Sequence, residues 1–439
     1  MAHPAPVPDH ATLQAAIAAR RDWAVTTLAD LVRHPSVLGQ EASAQEHMAG
    51  LLDGLGLDVR HEPIDLARIR DLPGFSPVDW ELDGKLNVVG VHDPGPAIGR
   101  SLALNGHIDV VSPEPVAAWT TPPYEPRVVD HEEDGESWMY GRGAGDMKGG
   151  TVAALWALAA LQDLDREPAS RVLVQSPVEE ECTGNGTLSL LERGYVADAC
   201  IIPEPFGETL LVRQVGVMWF QVRILGRTTH VLGAGRGVNA IEKSWLVIQA
   251  LRELEEELNA DGRRPDGFAQ VDHPLNLNVG TIAGGDWAST VAGECVTRFR
   301  IGLYPGDDLA AMRATIEERV ARAAAADPWL REDPPTVEYI GFQAAGCEFD
   351  PASDLARTLT EHHRAWRGTG PAELACTATT DIRFFNLYYD IPATCYGPRA
   401  ERIHGPDEKV SLDSMQRVAE VLASVVADWC GLRPRGRSS

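Results

Sequence analysis

Residues 150–202 read GTVAALWALAALQDLDREPASRVLVQSPVEEECTGNGTLSLLERGYVADACII. A helical stretch over 150–164 gives way to a short apolar run at 172–174, then to a second helical stretch at 188–193 and another apolar run at 200–202. Short apolar runs alternating with helices predict an α/β fold whose sheet is largely parallel, with helices on both faces. Working outward, further apolar runs at 86–91, 102–104 and 391–396 supply more strands. Residues 12–32 carry apolar side chains at helical spacing and read as one amphipathic helix, stopped before His34-Pro35 because proline disfavours helix in the residue preceding it.

The pattern changes near residue 211. VRQVGVMWFQVRIL (212–225) alternates as a strand with one covered face does, and a long helical stretch at 238–258 follows. Strand-like LNLNVGTIA (275–283) and VTRFRIGLY (296–304) come next, then an Ala-rich helix at 309–326. Two helices on one face of an antiparallel sheet account for that order. The expected organisation is therefore an α/β domain in two parts, 1–211 and 330–439, with an α+β domain inserted at 212–329. The end of the chain, RPRGRSS (433–439), reads as a frayed tail.

The chain has 439 residues, 44% of them hydrophobic and 23% charged, which excludes a disordered or fibrous protein. Lys plus Arg total 39 against 64 Asp plus Glu, a net charge of −25. A field of that sign repels phosphate, so neither nucleic acid nor an anionic membrane is an expected partner. The opening MAHPAPVPDHATLQ lacks a basic start followed by an apolar run, which predicts no secretory signal and a cytoplasmic protein. Seven cysteines without a CxxC pair argue against a disulfide framework or a zinc ribbon.

Five segments carry residues suited to chemistry. In LALNGHIDVV (102–111) an apolar run ends at His107 and Asp109, two apart and so on one face of an extended chain. The Asp109 carboxylate is then expected to accept from the imidazole nitrogen left free by a metal. MYGRGAGDMKGG (139–150) fails as a dinucleotide loop, because Asp146 stands where the third glycine belongs and would repel a pyrophosphate; it suits a cation instead. VLVQSPVEEECTGNG (172–186) places Glu179, Glu180 and Glu181 directly after a strand, where three carboxylates repel one another unless a cation or a shared proton compensates. Glu204 in CIIPEP and His404 in RIHGPDEKV complete the set. Each alone is as well explained by a turn, a strand-end histidine or a solvated charge run. Together they put two histidines and several carboxylates at the carboxyl ends of apolar runs, where open α/β sheets place their sites. Imidazole and carboxylate donors without thiolate suit catalytic zinc, or cobalt or manganese, and the set is large enough for two ions sharing one carboxylate.

Taken in order, GHIDVV, YGRGAGDMKGG, EEECTGNGT, PEP, GRTTHVLGAGRGVNAI (226–241) and IHGPDE resemble the M20 metallopeptidase family, in the branch of acetylornithine deacetylase and succinyl-diaminopimelate desuccinylase. The resemblance implies a zinc-exopeptidase-like catalytic domain with a lid that also dimerises. It implies two divalent ions bridged by Asp146, one completed by His107 and Glu204 and the other by Glu181 and His404. Asp109 would orient His107, and Glu180 would be the general base; the alternative register makes Glu179 the base and Glu180 the ligand. His230 matches a histidine that stabilises the oxyanion, often in the partner's site. Asn239, Arg383 in TTDIRFF and Gly397 in YGPRAERIHG match substrate contacts, although Arg383 beside Asp381 is equally suited to a structural ion pair. One departure is Gly302 in GLYPG, where many relatives carry an arginine; here Arg298 and Arg300 lie upstream. The implied activity is hydrolysis of a small N-acyl amino acid by a homodimer. Dipeptide or folate-like amide cleavage is the alternative, and a non-catalytic metal-binding homologue the third reading.

Overall fold

Strand Val172–Ser176 is buried along its whole length and sits inside a six-stranded sheet, as a continuous apolar run covered on both faces should. The order across the sheet is Asp58–Pro63, Leu86–His92, Val172–Ser176, Leu102–Asn105, Cys200–Ile202, Ala393–Cys395. The last four run parallel, and the first two add an antiparallel edge. This computed structural model describes residues 5–260 and 262–436. Helix Gly150–Asp163 is buried from Gly150 to Leu161, and its apolar character all round is that of a helix enclosed by neighbours. It packs against His10–Ala19 and Leu412–Trp429. All seven cysteines are buried and unpaired. No described helix is long and apolar enough to cross a membrane.

A second sheet, entirely antiparallel, has the order Asn278–Gly284, Glu294–Leu303, Gly216–Leu225, Thr336–Ala344. Helices Ala240–Asn259 and Leu309–Ala326 bury a separate core against it, with Phe220, Phe299, Leu251 and Ile316 at its centre. These elements form an α+β unit whose bounds differ from the expected 212–329 at both ends. Leu210–Gln214 pairs with Cys347–Glu348 and Glu373–Cys376 on the catalytic side, so the lid begins near Gly216 rather than 212. Its fourth strand, Thr336–Ala344, lies beyond 329, and the chain returns to the catalytic side only after Ala344. The Pro334-Pro335 step after the second helix mimics a domain boundary, although it only separates a helix from the next lid strand.

Two further expectations are corrected. Residues 12–32 form two helices, His10–Ala19 and Arg21–Arg33, because Arg20 (φ −100°, ψ 8°) leaves helical geometry. The expected tail contains a strand, Leu432–Pro434, paired with Arg166–Pro168; residues 437–439 lie outside the described part, as do 1–4 of the opening segment.

Candidate active site

The parallel strands deliver their carboxyl ends to one place. Leu102–Asn105 leads to His107, Val172–Ser176 to the triple glutamate, and Cys200–Ile202 to Glu204. The Pro203–Glu204 segment is gripped by two close backbone approaches. A Cβ on Gly150 would sit 1.7 Å from the Pro203 carbonyl oxygen, and one on Gly397 would sit 2.2 Å and 2.3 Å from the carbonyl oxygens of Pro203 and Glu204. Gly397 thus acts by being small. Asp146 follows strand Ser137–Tyr140 of a smaller sheet, and His404 lies between Ala400–Glu401 and Lys409–Ser411 of that sheet. The His404 loop holds three non-glycine residues in the left-handed region, Arg402 (φ 58°), His404 (φ 63°) and Asp407 (φ 58°). Such strain persists where surroundings over-determine it. Here Asp407 accepts from the Thr120 amide and hydroxyl at 2.8 and 2.9 Å.

The two carboxylate oxygens of Asp146 face two imidazoles. Oδ1 is 3.1 Å from His107 Nε2 and Oδ2 is 3.4 Å from His404 Nε2. Glu204 stands 3.8 Å from His107 Nε2, and Glu181 3.1 Å from His404 Nε2. Two groups result, His107–Asp146–Glu204 and Asp146–Glu181–His404, and within each group one donor atom per residue lies within 4.8 Å of the others. Burial opposes a proton on His107, yet the hydrogen bond to Asp146 and the surrounding carboxylates hold its pKa well above the ordinary value. His404 is likewise raised to about 11 against burial, by the charge of Glu181 and then by Asp146. Burial would raise Asp146, but hydrogen bonds from both histidines hold it low. Burial and the Asp146 charge push Glu204 well up. The cluster thus carries excess negative charge that draws protons onto its imidazoles, and a divalent cation competes for the same lone pairs. The donor set fits a divalent metal.

The three adjacent glutamates face three ways. Glu179 (φ 69°) is fully buried and turned from the cluster: its carboxylate meets Lys85 Nζ at 2.5 Å and Trp80 Nε1 at 2.7 Å. Glu181 joins His404. Glu180 lies in the cavity with Oε2 3.8 Å from His107 Nε2, and its buried Oε1 has no partner among the described residues. Burial pushes the Glu180 carboxyl well above its usual range, with His107 opposing and Asp381, Glu204 and Glu181 adding to the rise. Glu180 thus lies between a Glu179 turned to Lys85 and a Glu181 turned to His404. Lys85 also pairs with Glu41 at 3.1 Å. Lys85→Met leaves two buried carboxylates without their cation and is expected to cost about 3–5 kcal/mol of stability in urea denaturation; an unchanged midpoint would show that the pair is not needed to fold this loop.

Asp109 departs from expectation. His107 Nδ1 donates to the Asp109 backbone carbonyl at 2.9 Å, while the carboxylate is 3.8 Å away. The carbonyl fixes the tautomer that leaves Nε2 toward Asp146. The Asp109 carboxylate instead accepts from the amides of Glu180 and Glu181 at 3.2 and 3.0 Å, so it positions the glutamate loop. Burial pushes its pKa up to about 7. Glu408, within the quoted IHGPDE but not singled out, does the same for Asp146: it accepts from the amides of Gly145 and Asp146 at 2.9 and 3.0 Å and pairs with Arg142.

Three expected contacts are not brought to the cluster within the chain. His230 is exposed on the lid, its Nδ1 accepting from the Leu232 amide at 3.1 Å. Asn239 caps helix Ala240–Asn259 by accepting from the Ile241 amide at 3.0 Å. Arg383 is fully buried, donating to the Thr380 and Thr183 carbonyls and to Asp381. That is the structural ion pair, and a group so enclosed does not reach a substrate.

Between the cluster and the lid sheet lies a cavity of about 710 Å³. Glu180, Glu181 and His404 form its floor, and Trp80, Trp219 and Phe342 line its walls. A partly parallel α/β sheet whose carboxyl edge gathers histidines and carboxylates around one shared aspartate defines a metal-dependent hydrolase. The chain belongs to peptidase family M20/M25/M40, whose model matches residues 103–428, and it acts on linear amides. It is 30% identical to the N-formyl-4-amino-5-aminomethyl-2-methylpyrimidine deformylase of Halalkalibacterium halodurans, over 76% of this chain and 80% of that protein. It is 27% identical to succinyl-diaminopimelate desuccinylase of Bradyrhizobium sp., over 92% and 98%. Among solved structures, a di-peptidase from Saccharomyces cerevisiae matches with a TM-score of 0.78 at 14% identity, covering 96% of this chain and 98% of that one. Human carnosine dipeptidase 1 matches at 0.75 and 15%, covering 97% and 100%. These two share the fold.

Proposed function

We propose that the protein is a deacylase that releases an amino acid from its small N-acyl derivative, with Glu180 as general base. The observation that carries this reading is the division of the three glutamates, of which Glu180 alone keeps a buried carboxylate oxygen without a partner among the described residues. Divalent ions held by His107, Asp146 and Glu204 and by Asp146, Glu181 and His404, zinc first and cobalt or manganese as alternatives, would polarise the scissile carbonyl and lower the pKa of a water. Glu180 takes the proton of the attacking water and delivers it to the leaving nitrogen. Asp109 keeps that carboxylate in place through the two amides it binds. The deformylase and desuccinylase likenesses support deacylation over exopeptidase action.

His230 completes the site from a second copy in this reading. The loop that carries it is joined to residues 289–290 by the His230–Thr290 bridge and the Val231 amide on the Ser289 carbonyl. The same domain exposes apolar side chains: Leu232 (93% exposed), Trp287 (73%), Trp245 (59%) and Ile282 (51%). Ile282 lies on Asn278–Gly284, an edge strand with unpaired backbone groups, and such a surface supports pairing with a second lid. The buried, unpaired cysteines favour a reducing cytoplasm, a placement that cell fractionation tests.

Release of amine from N-formyl, N-acetyl and N-succinyl amino acids, with dipeptides alongside, tests the reading, and sedimentation at the same concentration reads the oligomer. A dimer that prefers the acyl derivatives and loses activity with His230→Ala is expected. Preference for dipeptides would replace the deacylase reading, and a fully active monomer would remove the role of His230.

A further inference from the structure

Residues 70–85 form neither helix nor strand between helix Leu66–Ile69 and strand Leu86–His92, yet they are tied down on two sides. Toward the lid, the Gly341 amide donates to the Pro77 carbonyl at 2.8 Å, the Gln343 amide donates to the Ser76 hydroxyl at 3.1 Å, and Arg298 pairs with Asp79 at 3.0 Å. Toward the sheet, this strap grips the glutamate loop at both ends. At the start of that loop, Trp80 Nε1 and Lys85 Nζ donate to the same oxygen of Glu179, Oε1. At its end, the Ser76 amide donates to Asn185 Oδ1 at 3.1 Å, and Asn185 Nδ2 donates to the Ser76 carbonyl at 2.8 Å.

Glu179 needs such support. Its φ of 69° is a left-handed conformation that residues with a Cβ rarely adopt and that surroundings must impose. With that turn, Glu179 points to the strap and Glu180 into the cavity. Both carboxylate oxygens of Glu179 are engaged: Oε1 takes the two donors of the strap, and Oε2 accepts from the Thr183 hydroxyl at 3.1 Å. Glu180 Oε1, by contrast, has no partner among the described residues, so the placement of this side chain depends on what holds its backbone. Asp109 holds the amides of Glu180 and Glu181, and the strap holds the residue before them. Of the two donors to Glu179, Lys85 is buried with Glu41 behind the loop, whereas Trp80 lines the active-site cavity together with Glu180. One side chain therefore borders the space a substrate fills and props the residue next to the base.

We propose that Trp80 is a positioning residue for the reaction: its indole N–H, by fixing Glu179, sets where the Glu180 carboxylate stands. The proposal rests on Glu180 as general base. Trp80→Phe keeps an aromatic ring in the cavity wall and removes the donor. It is expected to lower kcat by about 10- to 100-fold with KM little changed and both metal ions retained, because a displaced base acts poorly on a substrate that still binds. β-(3-Benzothienyl)alanine at position 80 exchanges only the N–H for sulfur within the same bicyclic outline, and should lower kcat to a similar extent. W80A opens the wall as well and should also raise KM. In an E180Q background, W80F should change the residual single-turnover rate by less than about 2-fold, since residues that act as a unit are not additive.

The rates are read on the zinc-loaded enzyme with whichever acyl amino acid or dipeptide the native protein cleaves fastest, beside urea denaturation of each variant. A native kcat in the benzothienyl variant overturns the proposal, and that variant alters too little to prevent folding. So does a loss confined to the urea midpoint, which marks a bond that serves the fold alone. Metal lost from W80F overturns it as well, because the bond would then be holding the Glu181 ligand position. An equal fold-loss from W80F with and without E180Q shows the ring acting on the substrate and not through the base. Each of these leaves Glu180 as the base provided that E180Q alone is slow, whereas a native rate in E180Q removes that reading and the proposal together.

Discussion

Glu180→Gln is expected to lower kcat by about 10³- to 10⁴-fold, within the range a positioned general base contributes, while both metal ions stay bound. The substitution keeps the shape of the side chain and removes its basicity. It removes no member of either donor group, since Glu180 is in neither His107–Asp146–Glu204 nor Asp146–Glu181–His404. Metal content by elemental analysis and single-turnover rates of amide cleavage read the two effects separately. Loss of metal together with activity would mean that Glu180 is a ligand and that the glutamate register is shifted. Unchanged turnover would place the base elsewhere. Glu179→Gln is the contrast: it disturbs the buried pair with Lys85 and should act on stability first.

Asp146→Ala is expected to abolish hydrolysis and to take metal content from two ions per chain to fewer than one. Both donor groups use this carboxylate, one oxygen toward each histidine. Removing it leaves each ion two protein ligands, fewer than the three that a catalytic zinc site keeps. Glu408 and Arg142 hold the loop from below and remain, so the fold should persist in circular dichroism. One ion retained at full occupancy would show the two sites to be independent and Asp146 not to be shared.

Much of this was legible in the residues, for identifiable reasons. Parallel strands buried on both faces appear as unbroken apolar runs, so 172–174 and 200–202 mark sheet positions and the residues after them mark its carboxyl edge. Of the candidate ligands, His107, Glu181 and Glu204 follow from that edge and Asp146 from the glycines before it, whereas His404 stands on a loop of the smaller sheet. What stayed hidden depends on side-chain direction and long-range pairing. Nothing local says that Arg383 turns inward to the Thr183 carbonyl, 200 residues away in the chain. Nor does spacing reveal that the Asp109 backbone, rather than its carboxylate, meets His107. The fourth lid strand was missed because Thr336–Ala344 alternates only weakly and ends in a buried run, as the returning catalytic strands do.

The most direct measurement is anomalous diffraction at the zinc edge from crystals of the zinc-loaded protein. Two peaks per chain are expected, one against His107 and Glu204 and one against Glu181 and His404, both within about 2.2 Å of an Asp146 oxygen and about 3.5–4 Å apart. A single peak, or peaks on residues other than these five, would contradict the site described above.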